Sequence, residues 1–242
     1  MHAASRSHSN QPPALSTRAL RVNLGAQEIV RSVDLDAESG QILGVLGPSG
    51  SGKTTLFRAL AGELPASEGD IFLDGREVTR QSLWQRARLG MSYVPQTPSV
   101  LLELTVAQNI DTFAQLVGCT QAASTPLIEA LELGPLLATR AKSLSGGERR
   151  RLELLRGLLP DRRVLILDEP FAGLDQRRVE KVGQLLVERA ARGRVTILAD
   201  HRVSDVLGFC HRAALLVDGR VLCSSAAEDF QGLPAVQRHY LA

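Results

Sequence analysis

Apolar and polar positions partly alternate near the start of the chain. The alternation runs from Ala19 to Asp36, and a Glu-Ser-Gly segment closes the region at Gly40. A period of two is typical of strands that bury one face. This pattern predicts an antiparallel hairpin or the edge of a sheet.

Wholly apolar runs predict buried strands further along the chain. The first run, Ile42 to Leu46, is followed by a glycine-rich loop and then by good helix formers from Lys53 to Ala61. Strand signals return at residues 71–75, 88–94, 164–167, 195–198 and 215–222, with a helical stretch at residues 176–191. Apolar strands that alternate with helices indicate a mostly parallel sheet covered on both faces.

The middle of the chain has a different composition. From Thr97 to about Lys142, β-branched runs thin out, Leu, Ala, Gln and Glu dominate, and Gly and Pro separate short segments. This predicts a helical insertion. The predicted fold class is therefore α/β, a mostly parallel sheet with an antiparallel β edge and a small inserted helical subdomain.

Composition narrows the classes of function. The 242 residues are 44% hydrophobic and 22% charged, which is ordinary for a globular protein and sufficient for a sizeable core. The 3 cysteines, without a CxxC pair, exclude a disulfide scaffold. Apolar runs stop well short of the roughly 18 residues of a membrane span, so any membrane contact is expected through a partner. The net charge of +2 leaves no reason to expect nucleic acid.

A phosphate-binding pattern, GxxxxGK[ST], fills residues 47–54 between the predicted strand and helix. The glycines let successive backbone N–H groups turn inward around a phosphate, and the helix N-terminus adds its positive dipole end. Lys53 would then reach the β and γ phosphates, and the Thr54 hydroxyl would hold Mg²⁺. A glycine turn that contains a lysine by chance is the alternative, and the eight matching positions disfavour it.

Two carboxylates, Asp168 and Glu169, follow the apolar run at residues 164–167. Two neighbouring carboxylates at the end of a strand, taken alone, more often lie in a solvent-exposed turn. Coupled to a glycine loop, Asp168 would support Mg²⁺, and Glu169 would accept a proton from an attacking water.

A Leu-Ser-Gly-Gly-Glu segment at residues 144–148 combines a capping box with two glycines. Ser145 and Glu148 have the spacing of the box. Each glycine in a first helical turn is unfavourable by roughly 1 kcal/mol, which suits a backbone that must approach an anion closely. The alternative is a plain capped helix.

In this order and spacing, the chain from Ala19 onward resembles the nucleotide-binding subunit of an ATP-binding cassette transporter. The matching segments are residues 47–54 as the Walker A loop, Gln96 as the Q-loop, 144–148 as the signature, 164–169 as the Walker B segment, 173–175 as the D-loop, and His201 as the switch histidine.

The resemblance implies a P-loop NTPase fold with a RecA-like sheet. It places a nucleotide-binding domain at residues 17–242, with the helical subdomain at about 97–153. The preceding residues 1–16, rich in Ser, His and Pro, are expected to form a flexible tail. The implied cofactors are ATP and Mg²⁺, with Thr54, Gln96 and Asp168 on the metal. The implied ATP-binding residues are Gly47, Pro48, Ser49, Gly50, Ser51, Gly52, Lys53, Thr54 and Thr55.

The resemblance also implies a catalytic group of Glu169, His201 and Gln96. In that family two cassettes pair head to tail, so a homodimer or a paired cassette is expected. The signature residues Ser145, Gly146 and Gly147 would then act in trans on the partner's γ-phosphate. Asp175 would couple the two sites.

Within the family, the chain is most similar to the lipopolysaccharide-export ATPases, a group related to the branched-chain amino acid importer ATPases. The implied role is a peripheral subunit on the cytoplasmic face of the membrane, which energises a separate transmembrane subunit docked in a groove near residues 96–104. Three alternatives stay open: an importer ATPase of the branched-chain amino acid type, a non-transport cassette that acts in DNA repair or on the ribosome, and a catalytically silent regulatory cassette. The short insertion disfavours the second, and the intact Lys53, Asp168, Glu169 and His201 disfavour the third.

Three segments need separate interpretation. Leu24 stands where cassettes commonly place an aromatic residue against adenine, so weaker base selectivity is expected. Leu101 and Glu103 lie in the expected partner groove, which predicts a partner helix with an aliphatic anchor and a basic residue. The arginines at residues 149–151 predict the charged outer face of a capped helix rather than a nucleic-acid site.

Overall fold

The computed structural model describes residues 12–240. Within this range the strands are β1 (Leu15–Leu24), β2 (Gln27–Ala37), β3 (Ile42–Leu46), β4 (Glu68–Leu73), β5 (Arg76–Glu77), β6 (Met91–Val94), β7 (Val164–Asp168), β8 (Val195–Ala199), β9 (Arg212–Val217) and β10 (Arg220–Ala226). The helices are α1 (Lys53–Ala61), α2 (Leu83–Arg88), α3 (Val106–Val117), α4 (Gln121–Ala130), α5 (Gly146–Leu158), α6 (Gln176–Ala191), α7 (Val203–Phe209), α8 (Ala227–Phe230) and α9 (Pro234–His239).

The larger sheet has the strand order β10-β9-β3-β8-β7-β6. Strands β9, β3, β8, β7 and β6 pair in parallel, and β10 is antiparallel to β9. Every residue of β3, β7 and β8 is buried, as their apolar sequences predict. The carboxyl ends of these strands therefore meet at one edge of the sheet.

The smaller sheet has the order β2-β1-β4-β5 and is antiparallel. Its β1–β2 hairpin confirms the expected antiparallel edge, with a turn at Gly25 and Ala26. The strand starts earlier than predicted: Leu15 is fully buried and Ser16 nearly so. The predicted tail boundary at residue 16 is thus wrong, because apolar burial extends the hairpin, and the tail residues 1–11 lie outside the described range.

Helices α3, α4 and α5 lie between β6 and β7, where the sequence predicts the insertion. Helix α5 runs to Leu158, beyond the predicted end of the subdomain at 153. Helix α5 packs against α3, α4 and β6. The insertion therefore rests directly beside the strands that carry the candidate site.

Candidate functional site

The phosphate loop lies between β3 and α1, as predicted. Gly47 has φ 157°, and a Cβ there would lie 1.9 Å from the carbonyl oxygen of Leu216, so only glycine fits. Gly52 caps α1 in the left-handed conformation, with φ 102°. These two positions allow the chain to turn tightly from a buried strand into a helix.

Lys53 points back into this loop. Its ammonium group donates hydrogen bonds to the carbonyl oxygens of Gly47 at 2.8 Å and Pro48 at 2.9 Å. Burial lowers the pKa of Lys53, while the carboxylates of Asp168 and Glu169 act in the opposite direction. The cation is thus held beside the loop that the sequence assigns to phosphates.

Asp168 ends β7 and is buried beside the start of α1. Burial raises the pKa of its carboxyl, and the Thr54 hydroxyl, the next largest influence, lowers it. The Oδ2 atom is buried and has no hydrogen-bond partner among the described residues. A buried acceptor left unpaired next to a hydroxyl is the chemistry of a site for a hard cation.

Glu169 and His201 are in contact. Glu169 Oε1 lies 2.8 Å from His201 Nε2. Glu169 has a left-handed φ of 53°, and its N–H donates to the carbonyl oxygen of Ala199 at 2.7 Å. A non-glycine residue in this conformation is uncommon and occurs often at functional sites.

The sheet order explains why these residues converge. Gln96 follows β6, Glu169 follows β7 and His201 follows β8, and the phosphate loop follows the neighbouring β3. All four strands are parallel, so the predicted catalytic and phosphate residues share one sheet edge. Gln96 and His201 are exposed at this edge.

Asp200 also belongs to this edge and was missed at the sequence level. It is buried, and its carboxylate accepts hydrogen bonds from the N–H groups of Phe171 at 2.9 Å and Arg202 at 3.1 Å. It therefore ties the loop after Glu169 to the loop that carries His201. The acidic residue before the histidine was the available signal.

The signature residues begin α5, at a distance along the chain from the phosphate loop. The capping box is present: the Ser145 N–H donates to Glu148 Oε2 at 2.8 Å, and the Glu148 N–H donates to Ser145 Oγ at 3.3 Å. Ser145 and Gly146 are exposed. They therefore present backbone and hydroxyl groups outward.

Gly147 has a packing role that the sequence did not indicate. A Cβ on Gly147 would lie 2.3 Å from the carbonyl oxygen of Gly173, whereas nothing lies within 4 Å of a Cβ on Gly146. The signature thus packs on the D-loop of the same chain. Asp175 caps α6 by accepting from the Arg178 N–H at 2.9 Å.

The prediction for the arginines at residues 149–151 is wrong in part, because Arg150 and Arg151 are buried. Arg151 donates to the carbonyl oxygens of Leu131 and Glu132 at 2.6 and 2.8 Å. These acceptors come from a distant segment, so the helix sequence alone gives no sign that the guanidinium group is used internally.

An apolar cavity of about 520 Å³ separates the sheet from the insertion. Its lining includes Trp84, Arg88, Phe113, Leu116 and Arg156. We call it the α2–α3 groove. From the stretch 96–104, Ser99 belongs to the lining.

The loop after Ser99 carries the predicted docking residues Leu101 and Glu103. Leu101 and Leu102 are 46% and 45% exposed and lie outside the groove lining. Glu103 pairs with Lys142 at 2.9 Å and with Arg140 at 3.9 Å, so it already has cationic partners within the chain. A basic residue of a partner is therefore not needed to neutralise it.

The chain is similar to known proteins over most of its length. A family model described as ABC transporter matches residues 30–172. The lipopolysaccharide export system ATP-binding protein LptB of Acidithiobacillus ferridurans is 36% identical over 231 residues, which cover 94% of this chain and 96% of that protein. An uncharacterized ABC transporter ATP-binding protein of Rhizobium meliloti is 37% identical, with 94% and 86% covered.

Solved structures show the same fold. A nucleotide-free ATP-binding cassette from an ABC transporter superposes with a TM-score of 0.83 at 22% identity, covering 95% of this chain and 99% of that one. A dimeric cassette bound to ADP and Pi superposes with a TM-score of 0.79 at 22% identity, covering 88% and 98%.

The fold and the phosphate loop together define a P-loop nucleotide hydrolase. The chain belongs to the ABC transporter family. It is an ATP-binding and ATP-hydrolysing subunit of an ABC transporter. Within residues 12–240, the helices are too short or too polar to cross a membrane.

Proposed function

We propose that this chain hydrolyses Mg²⁺-bound ATP at two sites shared between head-to-tail cassettes, and so drives transport through a separate membrane subunit. The observation that carries the proposal is the convergence of Lys53, Asp168, Glu169 and His201 at one sheet edge, whereas Ser145 faces outward from the insertion. We infer that this outward-facing signature completes the site of a second copy.

The bound nucleotide would take the place of the internal contacts of Lys53. The three N–H donors of the Lys53 ammonium group suit the β and γ phosphates. The loop at residues 47–52 and the N-terminus of α1 supply further backbone donors. Thr54 and Thr55 complete the loop at the start of α1.

Mg²⁺ fits the residues present, since Asp168 Oδ2 is buried beside Thr54 and has no hydrogen-bond partner within residues 12–240. Thr54, Asp168 and Gln96 would hold the ion. When bound, it would neutralise charge that develops on the phosphates.

Glu169 would act as the general base toward water. His201 orients the Glu169 carboxylate through their contact and would reach the γ-phosphate when nucleotide enters. Asp200 positions this histidine, because its carboxylate holds the N–H of Arg202, the next residue, and also the N–H of Phe171 in the loop after Glu169. Asp175 would couple the two sites across the dimer.

The α2–α3 groove supports docking of a helix from the membrane subunit. Its apolar lining includes the exposed side chains Leu83, Trp84 and Leu116. We infer that the cassette sits peripherally on the cytoplasmic face of the membrane, where such a subunit presents its helix. Lipopolysaccharide is the favoured cargo because LptB proteins are 31% to 36% identical over nearly the whole chain.

Copurification tests the proposal. The tagged full chain is isolated from detergent-solubilised membranes, its bound subunits are identified, and its ATPase activity is measured with and without Mg²⁺. We expect a polytopic membrane protein to copurify and Mg²⁺-dependent hydrolysis that Glu169→Gln removes. Recovery of ATPase activity with ribosomal or DNA-repair proteins, and without a membrane subunit, would instead support the non-transport alternative.

A further inference from the structure

Arg150 is a buried cation in α5, on the helix that starts with the signature. Its side chain is 5% exposed. It donates to the carbonyl oxygen of Pro95 at 2.8 Å, to Glu153 Oε2 at 2.9 Å, and to the carbonyl oxygen of Asp168. One side chain thus joins the residue before Gln96 to the peptide that links the two Walker B carboxylates.

Glu153 continues the connection in the opposite direction. It is as buried as Arg150, and its Oε1 atom accepts a hydrogen bond from the Ser99 N–H at 2.8 Å. The carbonyl oxygen of Ser99 in turn accepts from Arg156 at 2.6 Å. The Arg150–Glu153 pair therefore contacts backbone groups on both sides of the residues at 96–98.

The two ends of this connection lie in different places. Ser99, Glu153 and Arg156 line the α2–α3 groove. Pro95 and Asp168 lie at the catalytic sheet edge, after β6 and at the end of β7. The ion pair is thus the hydrogen-bonded link between the groove and the candidate site.

Stability alone is a weak reason for such a pair. Two buried charges lose their hydration, and well-packed apolar residues of the same volume are often at least as stabilising. An arginine in this position instead fixes the relative placement of separate backbone groups, because its planar donors demand defined acceptor positions.

We propose that Arg150 and Glu153 are positioning residues that transmit movement between the α2–α3 groove and the Asp168–Glu169 peptide. This rests on the proposed function, since it takes the groove as the docking place of the membrane subunit. Binding of nucleotide should then alter the groove even without a partner, because coupling between two sites acts in both directions.

Trp84 provides a direct probe of this coupling. It is the single tryptophan of the chain, it lies in the groove lining, and it is 58% exposed. The Arg88 guanidinium carbon lies 5.1 Å from its ring centroid. Its emission therefore reports on the groove without a label.

The experiment uses the full chain with Mg²⁺ and a non-hydrolysable ATP analogue. Trp84 emission is recorded on titration, the affinity is measured separately by calorimetry, and steady-state hydrolysis is measured with ATP. The variants are Arg150→Met, Arg150→Lys and Glu153→Gln. Arg149→Met is the matched control, because Arg149 neighbours Arg150 but donates to the Leu144 carbonyl oxygen instead.

We expect the analogue to change Trp84 emission in the wild type and in Arg149→Met. In Arg150→Met most of this change is lost while the affinity for the analogue stays near the wild-type value. Its kcat falls about 100-fold with little change in KM, since misplacement of reacting groups affects turnover more than binding. Arg150→Lys recovers part of the signal, because it keeps the charge.

An Arg150→Met chain with the full emission change and normal kcat would overturn the proposal, as would a wild type whose emission ignores the analogue. If Arg150→Met does not fold, Glu153→Gln is tested in its place, with the same outcomes supporting or overturning the proposal. The amide oxygen of the glutamine still accepts from the Ser99 N–H, while the Arg150 guanidinium group loses its charged partner. A wild type that binds no nucleotide by calorimetry would overturn the proposed function as well, and the two failures are thus distinguished.

Discussion

Glu169 Oε1 and His201 Nε2 lie 2.8 Å apart, at the ends of two adjacent parallel strands. The contact places a hydrogen-bonding imidazole directly on the carboxylate that the sequence assigns as the base. In the proposed mechanism, a γ-phosphate that enters the site would draw the imidazole away from the carboxylate. The carboxylate is then available to a water molecule, and the imidazole to the phosphate.

The first prediction concerns Glu169→Gln. The amide keeps the shape of the side chain but does not accept a proton, so hydrolysis should fall by about 10² to 10⁴-fold. ATP binding should persist, and an ATP-bound dimer should accumulate on gel filtration with Mg²⁺. Hydrolysis at the wild-type rate would exclude Glu169 as the base.

The second prediction concerns Asp168→Asn and stability. Burial raises the pKa of this carboxyl above its value in the unfolded chain. Its favourable contribution to the free energy of unfolding is therefore present at low pH and is lost as the pH rises through the folded pKa. At neutral pH the charge therefore opposes folding.

Thermal melting checks this sign. Asp168→Asn removes the buried charge. It should raise the melting temperature of the nucleotide-free chain by about 2 to 4 °C for each kcal/mol by which that charge destabilises the fold. The same variant should lose the additional stabilisation that Mg²⁺ gives with ATP. A lower melting temperature without nucleotide would show that the charged carboxylate stabilises the loop instead.

The third prediction concerns Leu24, which is 42% exposed at the β1–β2 turn. Leu24→Tyr should supply an aromatic stack for adenine and tighten ATP about fivefold, from roughly 1 kcal/mol of stacking energy. Calorimetry with ATP and GTP measures the gain and its base selectivity, with Leu222→Tyr, also exposed, as the control. Equal affinity in Leu24→Tyr and the wild type would remove Leu24 from the base site.

The fourth prediction concerns Leu101→Asp. Because Leu101 is 46% exposed, the substitution should change the free energy of unfolding by less than about 0.5 kcal/mol. We expect binding of the copurified membrane subunit to be lost while ATP binding is kept, because the docking region is predicted to include this loop. Retained binding of the membrane subunit would restrict docking to the α2–α3 groove.

Sequence patterns predicted the strands and the phosphate loop because those features obey local rules. Apolar runs of four or five residues identified β3, β7 and β8, and glycine spacing identified the loop at residues 47–52. Parallel pairing then brings strand ends together without further information.

Contacts between distant segments were not predictable in the same way. Arg150 and Arg151 have the same sequence character as solvated arginines, and only the fold shows that their acceptors are carbonyls of other segments. The need for glycine at position 147 comes from its close packing on the carbonyl oxygen of Gly173, 26 positions later, and not only from the expected approach of a phosphate.

The shared site is tested most directly by two complementary variants in the Glu169→Gln background. Lys53→Ala removes the phosphate contact, and Ser145→Arg blocks the signature. Each variant is first run alone on gel filtration with Mg²⁺ and ATP. They are then mixed, and the nucleotide content of any dimer is measured.

The account predicts that each variant alone stays monomeric, because each of its two sites lacks one half. The mixture should form a dimer that holds one ATP, bound between the intact Lys53 of one chain and the intact Ser145 of the other. A mixture that forms no ATP-bound dimer would contradict it, as would dimers of Ser145→Arg alone that hold one ATP per chain, since the signature would then not be needed to close a site.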